Sequence, residues 1–366
     1  MVETAALPEG TVRIPAEHAR IFVTDAFQAA GVPTVHADLV ADVLVSADLR
    51  GIRSHGLARM SYFLVRLERG TMEADPRLQL SPGSDTTAVL DGDNGIGIVV
   101  AARAMDEAMR MAGRHGAGFV AARNSSHFGY AGYWAERAMR KGFIGVSMSN
   151  SGRRVTPTFG AQSILGTNPL SVTIPGGDRA TDFYLDMATS TVAVGKVEAA
   201  IGEGRTIPAG WVAEAGDPPG LNEYGILTYD APLLPLGGEG DQTGGHKGYG
   251  LSLMVELLCG ALAGTGLADR IAGASGEAPA AMGHFMGAID VAGFGRPESV
   301  QTEMAETYAI IRGAAKAPGH DRIFIHGEPE TIAEQTNRSL GIPITPGTMT
   351  QLHRWNDRFD LGFELP

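Results

Sequence analysis

The chain has 366 residues, 44% of them apolar and only 19% charged, which fills a sizeable core and excludes an intrinsically disordered protein. A net charge of −12 repels phosphate backbones and excludes nucleic acid as a partner. The lone cysteine, Cys259, cannot form an internal disulfide, the first residues lack the basic-then-apolar order of a leader, and the most apolar stretch, 249–262, contains Glu256 and is too short to span a bilayer, so a soluble cytoplasmic protein is expected.

Ile21, Phe22, Ala26 and Phe27 recur at helical spacing behind Pro15 and predict a first helix that stops at Gly31 and Pro33. Helices are predicted next over 38–49 and 57–68, ended by Gly51 and Gly70. The pattern then alternates: a strand over 87–90, a helix over 98–115, a strand over 118–122, a helix over 131–141 and a strand over 143–148. Strands follow over 169–174 and 183–186. The stretch 202–245 is rich in glycine and proline and is predicted as loop. A helix over 247–262, strands over 284–289 and 323–326 and a closing helix over 331–340 complete the chain. The expectation is an α/β protein in three parts: a helical N-terminal, substrate-side segment (1–80), a central mixed-sheet body that binds the cofactor (81–300, with the inserted loop 202–245), and a C-terminal segment (301–366) that packs back on the N-terminal piece.

Familiar nucleotide and metal signatures are missing. Gly95-Ile96-Gly97 follows a strand and precedes a helix, but Val100 stands at the third glycine position of a Rossmann fingerprint. There is no Walker A sequence and no spacing of histidines and cysteines that holds a metal. Chemistry-bearing residues cluster elsewhere. In Arg53-Ser54-His55-Gly56-Leu57-Ala58-Arg59, an imidazole that exchanges protons near neutrality lies four residues from an arginine that can fork a carboxylate. That pair is what oxidation of a 2-hydroxy acid needs; a helix start capped by Ser54 would use the same residue types. Asn124-Ser125-Ser126-His127-Phe128-Gly129-Tyr130 is a strand-to-helix turn, where backbone N–H groups meet anions. Gly166-Thr167-Asn168-Pro169 and Leu185-Asp186-Met187 fall at strand ends. Gly244-Gly245-His246-Lys247-Gly248 suggests backbone lying close to a ligand, and Gly327-Glu328-Pro329-Glu330 turns into a helix. A serine hydrolase built on Ser54, His55 and Asp186 is disfavoured because adjacent residues rarely make a nucleophile–base pair and no nucleophile elbow is present. A non-catalytic nucleotide-binding protein would not need the histidine, arginine and lysine set.

In order and spacing, these motifs resemble the type 2 malate/L-lactate dehydrogenase family, which also holds ureidoglycolate, sulfolactate and piperideine-carboxylate enzymes. The resemblance runs from Arg53 to Glu330. It implies a non-Rossmann, sulfolactate-dehydrogenase-like fold, a homodimer, and hydride transfer between NAD or NADP and a small 2-hydroxy or 2-oxo acid such as malate or lactate, with NADPH-dependent reduction of a cyclic 2-imino acid as the alternative. It implies His55, Ser54, His127 and Asp186 as the catalytic group, and Arg59 and Thr167 as substrate ligands. The implied cofactor contacts are His127, Phe128, Gly129, Tyr130, Ser151, Leu185, Asp186, Met187, His246, Lys247, Gly327 and Glu328, with no metal. Position along the chain favours His55 as the acid/base and sets His127 along the cofactor. The loop 210–225 departs from the family's pattern, which leaves the substrate unassigned.

Overall fold

A computed structural model gives the fold and describes residues 7–202, 204–213, 220, 232–271 and 276–366. The N-terminal part is helical. After the short strand β1 (Val12–Ile14), helices α1 (Ala16–Ala29), α2 (Thr34–Leu49) and α3 (Met60–Glu68) bury Phe22, Phe27, Leu44 and Phe63 in one core. Proline starts both α1 and α2, standing just before the first helical residue. Between α2 and α3 the chain makes two single 3-10 turns, Arg53–His55 and Leu57–Arg59.

The body carries β2 (Gln79–Pro82), β3 (Thr87–Asp91), α4 (Gly97–His115), β4 (Ala117–Ser125), α5 (Ala131–Met139), β5 (Phe143–Ser149), β6 (Leu170–Ile174), β7 (Phe183–Met187), α6 (Val194–Gly202), α7 (Gly245–Glu256) and β8 (Met282–Asp290). Seven strands form one sheet in the order β2-β3-β4-β8-β5-β6-β7. Only β3 and β4 run parallel; the other pairs are antiparallel, unlike a doubly wound dinucleotide fold. Strand β8 is the last of these seven in sequence yet lies between β4 and β5, pairing Met286 with Val120 on one side and with Ser147 on the other. Its side chains alternate between faces. Met286 and Ala288 join the core that holds α4, while Phe285 packs with Val255 and Cys259 under α7 and the wider π turn Leu257–Ala261.

Helices α8 (Pro297–Gly313), α9 (Glu328–Leu340) and α10 (Pro346–Phe359) and strand β9 (Ile342–Ile344) complete the chain. β9 pairs antiparallel with β1, Val12 opposite Ile344, and Trp355 of α10 donates to Ser61 Oγ of α3 at 2.9 Å. A buried guanidinium, Arg50 at the end of α2, meets Glu136 of α5 at 3.4 Å and Glu334 of α9 at 3.5 Å.

Several expectations are corrected. The segment 323–326 is not a strand: its one backbone bond to the sheet is Tyr184 N–H to His326 O at 3.3 Å, after which the Gly327 turn takes the chain away into α9. Helices α6, α8 and α10 and strands β1, β2 and β9 were not foreseen. Within the loop-rich stretch 202–245 and the departing loop 210–225, residues 203, 214–219 and 221–231 lie outside the described residues. Among the described residues no helix is long and apolar enough to cross a membrane, and no cluster of histidine, cysteine and acidic side chains could hold a metal ion.

Candidate active site

The turn between α2 and α3 is organised by one buried carboxylate. Asp48, in the last turn of α2, accepts the Leu57 N–H at 2.8 Å. Gly56 passes directly over that carboxylate; a Cβ there would lie 2.1 Å from Asp48 Oδ1, so the Ser-His-Gly sequence needs its glycine for close approach. Held this way, Ser54 Oγ sits 2.8 Å from His55 Nδ1. Arg59 donates from Nε and Nη2 to the Ser54 carbonyl at 3.1 and 3.0 Å, leaving the Nη1 side of its fork out of that contact. Ser54 is therefore a partner of His55 and Arg59 and not a helix cap.

The second turn, between β4 and α5, is braced from the sheet. Ser126 Oγ accepts the Gly97 N–H at 2.8 Å and donates to Gly95 O at 3.0 Å. A Cβ on Gly97 would lie 2.0 Å from Ser126 O and 2.5 Å from His127 O. The Gly-Ile-Gly sequence thus lets α4 abut the turn that carries His127; Gly97 answers to the backbone of that turn and Gly95 to the Pro76 ring, not to a phosphate. Trp134 Nε1 donates to Phe128 O at 2.8 Å, and Tyr130 Oη lies 2.7 Å from Ser46 Oγ. His127 Nδ1 accepts the Gly129 N–H at 3.1 Å, so in the neutral ring the proton sits on Nε2.

The two turns meet: the His55 and His127 rings are 5.4 Å apart, centroid to centroid, and Tyr62 of α3 flanks His127 at 5.5 Å. Both line a cavity of about 970 Å³. On another wall Ser151 and Thr167 interlock, Thr167 N–H donating to Ser151 Oγ at 3.0 Å. Asn168 holds this pair from behind. Its Oδ1 accepts the Ser151 N–H, and its amide nitrogen donates to Glu256 at 2.8 Å, which explains the acid in the most apolar helix. Asp186 of β7 accepts the Gly132 N–H at the start of α5.

Burial sets the charge states. It pulls His55 down to about 3, with help from the Arg59 charge. Burial again, then His55 and Arg59, keeps His127 well below the usual imidazole range. Both rings are neutral at pH 7. Burial pushes Asp186 up to about 7 against the Gly132 N–H and Arg50, and Asp48 up to about 7 against the Leu57 N–H. This is a desolvated pocket in which two neutral imidazoles and an arginine fork can act on one small polar ligand.

Of the predicted residues, Ser54, His55, Arg59, His127, Gly129, Tyr130, Ser151, Thr167, Leu185, Asp186, Met187 and Gly327 come together on the cavity wall. Four do not. Phe128 is buried beneath its turn, and Glu328 bonds Arg312, Arg322 and the Ile325 N–H. His246 and Lys247 are exposed on α7, and the glycines beside them pack on protein: a Cβ at Gly245 would lie 2.0 Å from Gly238 O, and one at Gly248 2.1 Å from Leu236 O. Sequence reasoning missed Tyr62, which follows Arg59 by three residues and could have been found from helical spacing. It also missed Arg153, Tyr184, the first turn of α6 at Val194 and Gly195, and the exposed residues Lys316, Ala317 and His320, whose local patterns carry no signal; 323–326 it read as a strand and not as cavity wall.

A family model described as malate/L-lactate dehydrogenase matches residues 14–353. A malate dehydrogenase of Pyrococcus abyssi is 39% identical over 360 residues, covering 96% of each chain. The solved malate dehydrogenase of Pyrococcus horikoshii superposes with a TM-score of 0.88 at 36% identity, over 98% of this chain and 99% of that one. The sulfolactate dehydrogenase structure of Methanocaldococcus jannaschii gives 0.82 at 31% identity, over 95% and 98%.

Proposed function

The chain belongs to the malate/L-lactate dehydrogenase family, and we propose that its cavity is a dehydrogenase site where a hydride passes between a nicotinamide dinucleotide and a small 2-hydroxy or 2-oxo carboxylic acid. The observation that carries this reading is the convergence of His55, His127 and Arg59 from two separate parts of the chain on one buried pocket. The residues fit such a cofactor in kind. The cavity volume suits a large ligand, Ser151 and Thr167 line it, and Tyr184 Oη is buried there with no hydrogen-bond partner among the described residues. Ser151, Asp186, Met187 and the Gly327 turn would hold the dinucleotide. When bound, it supplies or receives the hydride at the carbon that bears the oxygen.

The hydrogen bonds divide the labour between the histidines. Nδ1 of His55 keeps its contact with Ser54 Oγ whether Nε2 is bare or protonated, because a hydroxyl donates or accepts. His55 can therefore take the hydroxyl proton during oxidation and return it during reduction. Protonating Nδ1 of His127 would break its bond from the Gly129 N–H, so His127 stays neutral and serves as an Nε2–H donor to the substrate oxygen. Arg59 forks the carboxylate. An acid bound beside Arg59 cancels the charge that depresses His55 and raises its proton affinity where the proton is needed. The exposed apolar side chains Met254, Leu257 and Leu262 on α7 and beyond support a homodimer, and a single buried thiol suits a cytoplasmic setting.

The test is a panel of 2-oxo acids with NADH and with NADPH, followed by loss of the reduced cofactor's absorbance, in buffer with and without a chelator. Turnover that survives chelation is expected. Absence of turnover with every acid and both cofactors would overturn the reading. Light scattering of the eluting protein tests the dimer.

A further inference from the structure

Behind the two histidines of the pocket lies a third, His284, fully buried in β8 and not part of the cavity wall. Its Nε2 is 2.7 Å from Ser125 Oγ on β4 and its Nδ1 is 2.9 Å from Ser149 Oγ on β5. The directions of these bonds follow from the donors available. Ser149 has one hydroxyl proton, which goes to the Asn150 or Gly283 carbonyl, at 2.9 and 3.2 Å, so its oxygen accepts from Nδ1–H. In the neutral ring Nε2 then accepts from the Ser125 hydroxyl, with the Ser126 and Gly283 backbone carbonyls also beside the imidazole. The Phe128 ring stacks on the imidazole, centroids 4.7 Å apart and planes 7° from parallel. Phe128 follows His127 directly, and Ser149 lies two residues before Ser151.

We propose that His284 is a positioning residue that sets the spacing between the turn bearing His127 and the turn bearing Ser151, and through it the geometry of the reaction. The proposal rests on the dehydrogenase reading of the cavity. The strand order supports it: β8 is the one strand that touches both β4 and β5, so a side chain at its pocket end reaches the ends of both. A neutral ring with one donor and one acceptor nitrogen satisfies both serines at once, and its flat face supports Phe128. Neither leucine nor phenylalanine at this position could do both.

Two conservative variants separate positioning from plain stability. His284→Asn places an amide near Nδ1 and restores the Ser149 bond alone; His284→Gln reaches the Nε2 position and restores the Ser125 bond alone. Each is compared with wild type by far-UV circular dichroism, thermal unfolding, fluorescence titration with NADH or NADPH, and kcat and KM for the best 2-oxo acid. In folded protein we expect kcat/KM to fall roughly tenfold to 10²-fold, the scale of an ångström-sized misplacement. The loss should lie mainly in kcat in both variants, since each restores only one of the two serine bonds. If both variants keep kcat, KM and cofactor affinity within about twofold of wild type and lose only melting temperature, His284 is structural and the proposal falls. If neither folds, Ser125→Ala, which removes the Nε2 bond and no ring, reads the same two outcomes. Wild-type protein that neither binds a nicotinamide cofactor nor turns over a 2-oxo acid would overturn the reading of the cavity, and the proposal with it.

Discussion

The two histidine-bearing turns are built to different standards. The Ser54–His55 turn hangs between two helices on one carboxylate bond and one arginine fork. The His127 turn is held by Ser126, which bonds both Gly97 N–H and Gly95 O, and by an indole bond, a stacked ring and the sheet beneath. The less braced turn carries the group that exchanges a proton, and the more braced one carries the fixed donor. A proton shuttle tolerates small adjustments between its two charge states, whereas a neutral donor contributes only if it is already in place.

The sharpest test of that contrast is His55→Ala beside His127→Ala. His55→Ala should lose about 10²–10⁴-fold in turnover with cofactor affinity nearly intact, the usual worth of a placed acid/base group. His127→Ala should weaken both turnover and cofactor binding. In wild type, kcat/KM for oxidation should fall only as pH drops toward the acid range where free His55, held down to about 3, takes up a proton, and His55→Ala should remove that fall. A profile that survives in His55→Ala and vanishes in His127→Ala would reverse the roles.

The bracing can be probed next through the two close-approach glycines. Gly97→Ala drives a Cβ into backbone oxygens at 2.0 Å, and Gly56→Ala drives one into a side chain at 2.1 Å. Backbone cannot rotate away, so Gly97→Ala should cost about 3 kcal/mol or more and Gly56→Ala about 1–3 kcal/mol in urea unfolding, the range of overpacking and of a lost buried bond. Equal costs would remove the distinction between the turns.

Arg59→Lys keeps the charge but not the fork. It should lower kcat/KM for the acid by roughly ten- to a hundredfold, about 1.5–3 kcal/mol, and leave cofactor affinity unchanged. An unchanged KM for the acid would remove Arg59 from the carboxylate site.

The smallest effect at any one pH concerns Asp48. Its folded pKa of about 7 lies above the unfolded carboxylate value, so the stability it lends is full below about 3.8 and is lost as pH rises through 7. Asp48→Asn has no such loss. Its melting temperature should gain on wild type between pH 4 and 8, at no more than about 1.4 kcal/mol per pH unit. A difference that stays constant with pH would show that the carboxyl at this turn does not titrate in that range.

Much of the fold was legible because local pattern carries it. The helix at 98–115 buries Ile98, Val100, Ala101, Met105, Ala108 and Ala112 at helical spacing, and the strands at 118–122, 143–148, 169–174 and 183–186 each lie within a strand or begin one residue before it. Helix α8 was not legible, since Tyr308 is its one buried side chain and an exposed helix shows no apolar stripe. Strands of three residues, such as β1 and β9, are too short for any period to show.

For the site, sequence by itself determined the residue types and the turns that present them: an imidazole beside an arginine at 55 and 59, a second imidazole in a strand-to-helix turn at 127, hydroxyls and an acid at strand ends. Those features depend on neighbours a few residues apart, and short-range spacing is written in the chain. Which of them share a pocket was decided by the tertiary structure alone. The glycines around Lys247 and those at 95 and 97 looked alike as possible ligand cradles, yet Gly97, Gly245 and Gly248 face protein backbone, Gly95 faces the Pro76 ring, and Lys247 stays outside the cavity wall. The insertion of β8 between β4 and β5, which sets His284 behind both turns, depends on pairings across more than 130 residues. Close approach, burial and the resulting proton affinities arise from packing at a distance, and no local spacing encodes them.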